Sequence, residues 1–215
     1  MNPLTKRRRA LMMANMLDIT KLIFSYTGNY TDELMTIGGV EYRILELKSN
    51  GTLTMDQKMI DKGITFDVWC VRQGAKGEDG SDSGGTTEVG AVHMNHENYN
   101  PTGPNRIHKT KCPDGSNGSN GGWSMVLGST ASTTTYTASV SSPAYLNGVI
   151  SVSNTTRSGT AWFTLPSSNN GAGGRGGSGA EDEYCEGCDY SASTPSTPGQ
   201  SGTPGIVVIR IPIDQ

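Results

Sequence analysis

The chain reads as an all-β protein: a glycine-rich, loop-dominated, β-sandwich-like domain with a short N-terminal helix. Three observations lead there. One apolar stretch, Ile64-Thr-Phe-Asp-Val-Trp-Cys-Val71, runs into a long polar tract, and a second, Gly205-Ile-Val-Val-Ile-Arg-Ile-Pro212, runs out of it. Between them, residues 74–205 are mostly glycine, serine, threonine and asparagine. A disordered linker has no need of an apolar strand at each border, whereas a folded polar domain needs both for its core. Short strand-like runs inside the tract, separated by turn residues, complete the pattern.

Each element has a local reason. Asn2-Pro3 is a helix start, with Asn as N-cap and Pro at the first helical position, and Leu4, Leu11 and Met12 fall near one face of a helix over residues 3–17. Residues 29–73 read as a β meander. Met35 to Ile37 and Val40 to Leu47 are strands joined at Gly38-Gly39; Asn50-Gly51 turns the chain into Thr52–Met55; Asp61-Lys62-Gly63 turns it into the strand Ile64–Val71. Gly74-Ala-Lys-Gly77-Glu-Asp-Gly80 has collagen-like spacing, but the register fails at Ser83, so it reads as a loop. Strands follow at Gly122–Leu127, Thr133–Val140, Gly148–Ser153 and Gly159–Leu165, while residues 169–180 and 191–204 read as structureless. The last strand, Ile206–Ile211, is expected beside Ile64–Val71 in the centre of a sheet. The organisation is therefore residues 1–28 as helix and linker and residues 29–215 as one β domain, with a polar insert over 74–205 between strands 64–71 and 206–211.

Composition narrows the function. Apolar residues are 33% of 215, thin for a self-sufficient core, which points to oligomerisation. A net charge of −3 gives no general case for nucleic-acid binding, and the run Lys6 to Arg9 reads as a solvated helix face. No apolar run is long enough to insert in a membrane, and Asp18 and Lys21 interrupt what would be a secretion signal.

Chemistry-bearing residues are few. Cys70 lies in an apolar strand and reads as a buried thiol. His93, His96, His108, Cys112, Cys185 and Cys188 form a candidate structural metal set, with plain loop histidines, or a disulfide from Cys112 to Cys185 or Cys188, as the alternatives. The acidic stretches 78–82 and 181–183 read as solvated loops, without the spacing of a calcium loop. No G-x-S-x-G elbow, nominated carboxylate pair or phosphate loop emerges, so the chain reads as a non-enzyme without a cofactor. Tyr99, Trp123, Tyr136, Tyr145, Tyr184 and Tyr190 lie in or near the loop-rich part; Trp123 and Trp162 read as core residues of short strands, and Tyr99, Tyr184 and Tyr190 as candidate contact residues in polar loops.

Four stretches carry a family resemblance: Met1-Asn-Pro-Leu-Thr-Lys-Arg-Arg-Arg-Ala-Leu-Met-Met13, Tyr42-Arg-Ile-Leu-Glu-Leu with Gly51-Thr-Leu-Thr, Phe66-Asp-Val-Trp-Cys-Val-Arg-Gln-Gly74, and Gly202-Thr-Pro-Gly-Ile-Val-Val-Ile-Arg210. With these the chain resembles the glycine-rich tail-fibre and tail-tip proteins of bacteriophages and prophages of Gram-positive bacteria. It departs from them in having no long G-G-G run, which argues against packed polyglycine helices here. The resemblance implies a virion protein assembled in the host cytoplasm and acting outside the cell. It implies a homotrimer that attaches to other tail proteins through the N-terminal helix, with Leu4, Arg8, Leu11 and Met12 as assembly residues. It implies contact with a host receptor, such as a glycan, through the glycine-rich loops. A decoration or connector protein without a receptor is the alternative, and a glycan depolymerase a more distant one.

Overall fold

The computed structural model describes residues 18–91, 106–156, 170–186 and 191–213. The fold is all-β, built from three antiparallel sheets with very little helix. The N-terminal helix expected over residues 3–17, with Leu4, Arg8, Leu11 and Met12, and the strand expected at 159–165 lie outside the described residues. The chain divides into two units, residues 1–73, 121–171 and 204–215 forming the first and residues 74–120 and 172–203 the second. Residues 121–171, which the sequence groups with the polar insert, thus belong to the first unit.

The first unit is a sandwich of two five-stranded sheets. One contains β1 (Ser25–Tyr26), β4 (Gly51–Thr54), β9 (Thr135–Ser139), β10 (Ala144–Leu146) and β11 (Ile150–Val152), in that order. The other contains β2 (Tyr30–Ile37), β3 (Val40–Leu47), β14 (Ile206–Pro212), β5 (Thr65–Val71) and β8 (Trp123–Thr130). Alternation in sequence becomes alternation in burial. Leu45, Leu47, Phe66, Val68, Cys70, Val207, Ile209 and Ile211 face a core shared with Leu53, Tyr136, Ala138, Leu146 and Val152 of the opposite sheet. The expected central pairing is present, with Ile206 opposite Val71 and Ile209 opposite Val68. The meander is not simple, because β3 passes to β14 while β4 joins the other sheet.

Turn chemistry accounts for the connections. Gly38 and Gly39 take φ of +60° and +83°, the two positive values that a two-residue hairpin turn requires. A helix the sequence reading did not foresee, α1 (Gln57–Asp61), starts at Asp56, whose carboxylate accepts from Lys58 N at 3.0 Å. Two arginines tie the sheet. Arg43 donates from Nε and Nη2 to Asp32 at 2.8 and 2.6 Å and from Nη1 to the carbonyls of Ile19 and Leu22, fixing the 3-10 turn at Ile19–Lys21. Arg210 donates to Asp67 at 2.9 and 2.6 Å, and the other oxygen of Asp67 accepts from Gly128 N at the bulge between β5 and β8.

The second unit is built differently. Its glycine-rich segments 74–81, 112–120, 172–180 and 197–203 are packed side by side and hydrogen-bonded at every third residue, although the sequence suggests a loop for the first and no structure for the last two. Gly74, Gly77 and Gly80 of the first segment donate to the carbonyls of Thr203, Gln200 and Thr197 in the fourth. Ala75, Glu78 and Ser81 donate to Ser119, Ser116 and Pro113 in the second. The second donates from Cys112, Gly115 and Gly118 to Ala180, Gly177 and Gly174 in the third. The third donates back from Gly174, Gly177 and Ala180 to Ala75, Glu78 and Ser81, and receives from Thr197, Gln200 and Thr203 of the fourth. Only the contact between first and third is parallel, both partners rising together in number; in the other pairs they run oppositely.

Partners that recur every three residues mean three residues per turn, the extended helix of polyglycine and polyproline. Such a helix has no internal hydrogen bonds, so neighbours must satisfy its peptide groups. That requires backbones to touch, and here glycine is obligatory. A Cβ at Gly77 would overlap the carbonyl of Arg175, one at Gly118 the carbonyl of Ala75, and one at Gly177 the carbonyl of Thr197. The expectation against packed polyglycine helices is therefore overturned. A long G-G-G run is not needed, because one glycine per turn clears each contact.

Gly177→Ala should destabilise the protein by at least about 3 kcal/mol in urea unfolding, since the methyl meets backbone on a buried residue. Arg175→Ala, two residues away with an exposed side chain, should stay within about 0.5 kcal/mol of the parent.

Candidate functional site

The glycine segments carry a sheet whose order is β13 (Ser191–Thr194), β12 (Glu181–Glu186), β7 (Arg106–Lys111), β6 (Thr86–Ala91). The second and third segments lead directly into or out of strands of it: Cys112 N, just past β7, donates to Ala180 O, just before β12, at 2.8 Å. At the opposite end of the sheet, Ala91 pairs with Arg106 and Arg106 with Glu186. The connection 92–105 between β6 and β7 and the connection 187–190 between β12 and β13 therefore start from neighbouring bases at one end.

Apart from Ala192, the described side chains of this sheet are polar or, like Tyr184, carry a polar group, on both faces. One face carries Tyr184, His108, Asp182, Thr110, Ser191 and Ser193, the other Glu181, Glu183, Lys109, Lys111 and Thr194. The strand β13 is exposed throughout. Tyr184 stands directly across from His108 and their rings stack in parallel, 4.6 Å apart with planes at 4°. Tyr184 stays 48% exposed, so its stack with His108 still leaves ring surface for a ligand. Asp182 and Ser193 form the next cross-strand pair on this face, about 6.8 Å along the strands, and Ser191 pairs with Tyr184 itself. An aromatic plate beside a carboxylate and two hydroxyls suits a ligand with both apolar C–H and polar O–H groups. On the other face a concavity of about 370 Å³ is lined by Gly84, Thr86, Lys109, Lys111, Cys112, Pro113 and Asp114.

Of the contact residues suggested by sequence, Tyr184 is thus exposed as expected, though in a strand and not a loop. Tyr99 and Tyr190 lie outside the described residues. Tyr136 is buried in the sandwich core, and Trp123 packs edge-on against Trp69 at 5.8 Å, as a core residue does. Of the suggested metal set, His93, His96 and Cys188 lie outside the described residues. His108 and Cys112 are four residues apart along an extended strand, about 13 Å, too far to share one ion. Cys185 pairs with Ile107, five residues from the Ala180 that bonds Cys112, so a Cys112–Cys185 disulfide is ruled out by about 17 Å of register. Cys112 is a free, buried thiol. Cys70 is also free and buried, and burial pushes its thiol up to about 12. Among the described residues no three His, Cys, Asp or Glu side chains converge as a metal site. The acidic stretch 78–82 is engaged instead of merely solvated. Glu78 accepts from Ser116 Oγ at 2.6 Å, and Asp79 accepts from Lys76 Nζ at 2.7 Å and Gly199 N at 2.9 Å.

The residues that support this surface are ones the sequence reading did not single out. Asp114, Asn117 and Asn120 recur at the triplet spacing, and their Oδ1 atoms accept from Gly179, Gly176 and Gly173 N at 2.9, 3.0 and 2.9 Å. They act as a side-chain ladder where a further glycine helix would otherwise be needed. Thr197 and Thr203 do the same for Ser178 and Ala172 N at 2.7 and 2.8 Å. The signal was legible in Asp-Gly-Ser-Asn-Gly-Ser-Asn-Gly, where each Asx precedes a glycine at fixed phase.

Asn117→Ala should cost about 1 kcal/mol, because Gly176 N loses its acceptor. Acid should weaken this ladder and the contacts of the 78–82 stretch. The Gly179 N–H, then Lys111, holds the Asp114 carboxyl below its usual value; Lys76, then Gly199 N, does so for Asp79, and Ser116 for Glu78. Carboxyls lowered in the fold stabilise it fully above their ordinary values of 3.8 and 4.5, and that share is lost as pH falls through the lowered ones. The unfolding midpoint should therefore drop below about pH 4, and Asp114→Asn, which keeps an acceptor without the charge, should drop less.

Comparison with protein-family models, with curated proteins and with solved structures found no match to this chain.

Proposed function

We propose that the chain is a virion structural protein of a bacteriophage tail fibre or tail tip, which contacts a host cell-surface receptor through its glycine-rich unit. The family resemblance supplies the setting. The observation that carries the reading is that the second unit is held together by hydrogen bonds of packed glycine segments and not by an apolar core, which leaves side chains of its sheet such as Tyr184 available for contact. A catalyst needs a sequestered site, whereas a display scaffold needs an ordered support and an open polar surface. Tyr184, with His108, Asp182 and Ser191 around it, is the described part of that surface. Tyr99 and Tyr190 belong to the connections that begin at its far end, and their contact role is part of the same proposal.

Threefold self-association belongs to this reading. The apolar share is 33%, and Ile23, Leu34 and Leu127 on the first unit are 75%, 61% and 63% exposed. Light scattering of the dilute protein should give three times the chain mass, and a monomer would remove this part of the reading.

Receptor contact is tested with labelled full-length protein and a panel of intact Gram-positive cells. Saturable binding, competed by unlabelled protein and weakened about tenfold by Tyr184→Ala, is the expected result. Binding to no strain, with incorporation into particles intact, would favour the connector alternative. Release of reducing sugar from the cell walls would favour the depolymerase.

A further inference from the structure

We propose that Asn147 is a site of spontaneous covalent modification, deamidating through a cyclic imide while the chain's other Asn-Gly asparagines stay intact in the folded protein. The inference rests on geometry alone and holds whatever the protein binds. Asn-Gly occurs at 50–51, 117–118, 120–121, 147–148 and 170–171. In such a pair the glycine main-chain nitrogen attacks Cγ of the asparagine. A C–N bond closes a five-membered imide, and the carboxamide nitrogen leaves as ammonia, taking the proton that the glycine nitrogen gives up. Water then opens the imide at either carbonyl, giving aspartate or isoaspartate. Water is consumed, ammonia is released, and nothing is oxidised. The reaction needs a glycine N–H not held in a hydrogen bond and a side chain free to swing over it. Glycine suits the second position because it has no Cβ in the way.

Four of the five pairs fail at least one condition. Asn117 and Asn120 have their Oδ1 atoms held by Gly176 and Gly173 N at 3.0 and 2.9 Å, and the glycines that follow them donate to Gly174 and Gly171 O at 2.8 and 2.7 Å. The Asn50 carboxamide is tied at both atoms, accepting from Val140 N at 2.9 Å and donating to Ser141 Oγ at 3.2 Å. After Asn170, Gly171 N donates to Pro204 O at 2.9 Å.

Asn147 and Gly148 meet both conditions. They are the central residues of the turn between β10 and β11, closed by Val149 N donating to Leu146 O at 3.0 Å. Both are exposed, and among the described residues neither the Asn147 carboxamide nor the Gly148 N–H has a hydrogen-bond partner. Gly148 has φ of +75°, with nothing within 4 Å of the place a Cβ would occupy. Conversion puts a new carboxylate on the hairpin and takes the formal net charge one step beyond −3. The isoaspartate product also lengthens the main chain inside a hairpin whose register is Leu146 opposite Ile150.

The full chain is held native at mildly alkaline pH, sampled over time and mapped by peptide mass spectrometry. A parallel sample in urea serves as reference. The native peptide with Asn147 should convert at least about tenfold faster than those with Asn117 or Asn120, equivalent to about 1.4 kcal/mol in barrier. In urea the pairs should convert at similar rates. Asn147→Gln should remove the early acidic species from anion exchange. A native Asn147 that converts no faster than Asn117 and Asn120 overturns the proposal.

Discussion

Two peptide backbones can lie against each other only where no Cβ stands between them, and the second unit rests on that constraint. Glycine facing each contact once per turn lets every extended helix place N–H groups on a neighbour's carbonyls, and lets the first segment do so on two neighbours at once. A peptide group left unpaired away from water costs about 1–3 kcal/mol, whereas each hydrogen bond made contributes about 1 net. The bundle is therefore held less by the worth of any one bond than by the cost of leaving any one unmade. One misplaced methyl parts two backbones and releases several bonds together.

The first unit solves the same accounting with side chains. Its peptide groups pair in two antiparallel sheets, and the alternating residues of β3, β5 and β14 bury a shared apolar core. The second unit has no such core among its described residues; Cys112 is its one buried apolar side chain. The chain thus divides its labour by composition. Apolar strands serve one unit, and glycine with Asx, Ser and Thr serves the other.

The parts of the fold legible in the sequence were those whose signal is local. Val40–Leu47, the strand ending at Val71 and the strand from Ile206 announce themselves by alternation or by continuous apolar character, and their partnership follows from being the most apolar stretches in the chain. The helix Gln57–Asp61 was missed because five residues carry too little period to see. Glu181–Glu186 and Ser191–Thr194 were missed because a strand that is polar on both faces has no inside to mark. The bundle escaped for a different reason. Each glycine segment covers only about three turns, within the range of chance spacing, and the order appears only when the four are laid side by side. The candidate surface was half legible: Tyr184 stood out as an aromatic in polar surroundings, but its stacking on His108 depends on a strand register that nothing local specifies.

Three residues per turn also impose a rule on how such a chain can change length. Insert one residue within 112–120 and every glycine beyond it rotates by a third of a turn, presenting a side chain where a neighbour's carbonyl must come. Insert three and the phase is restored, with the segment merely longer. Gene changes in the bundle are thus filtered in steps of three codons.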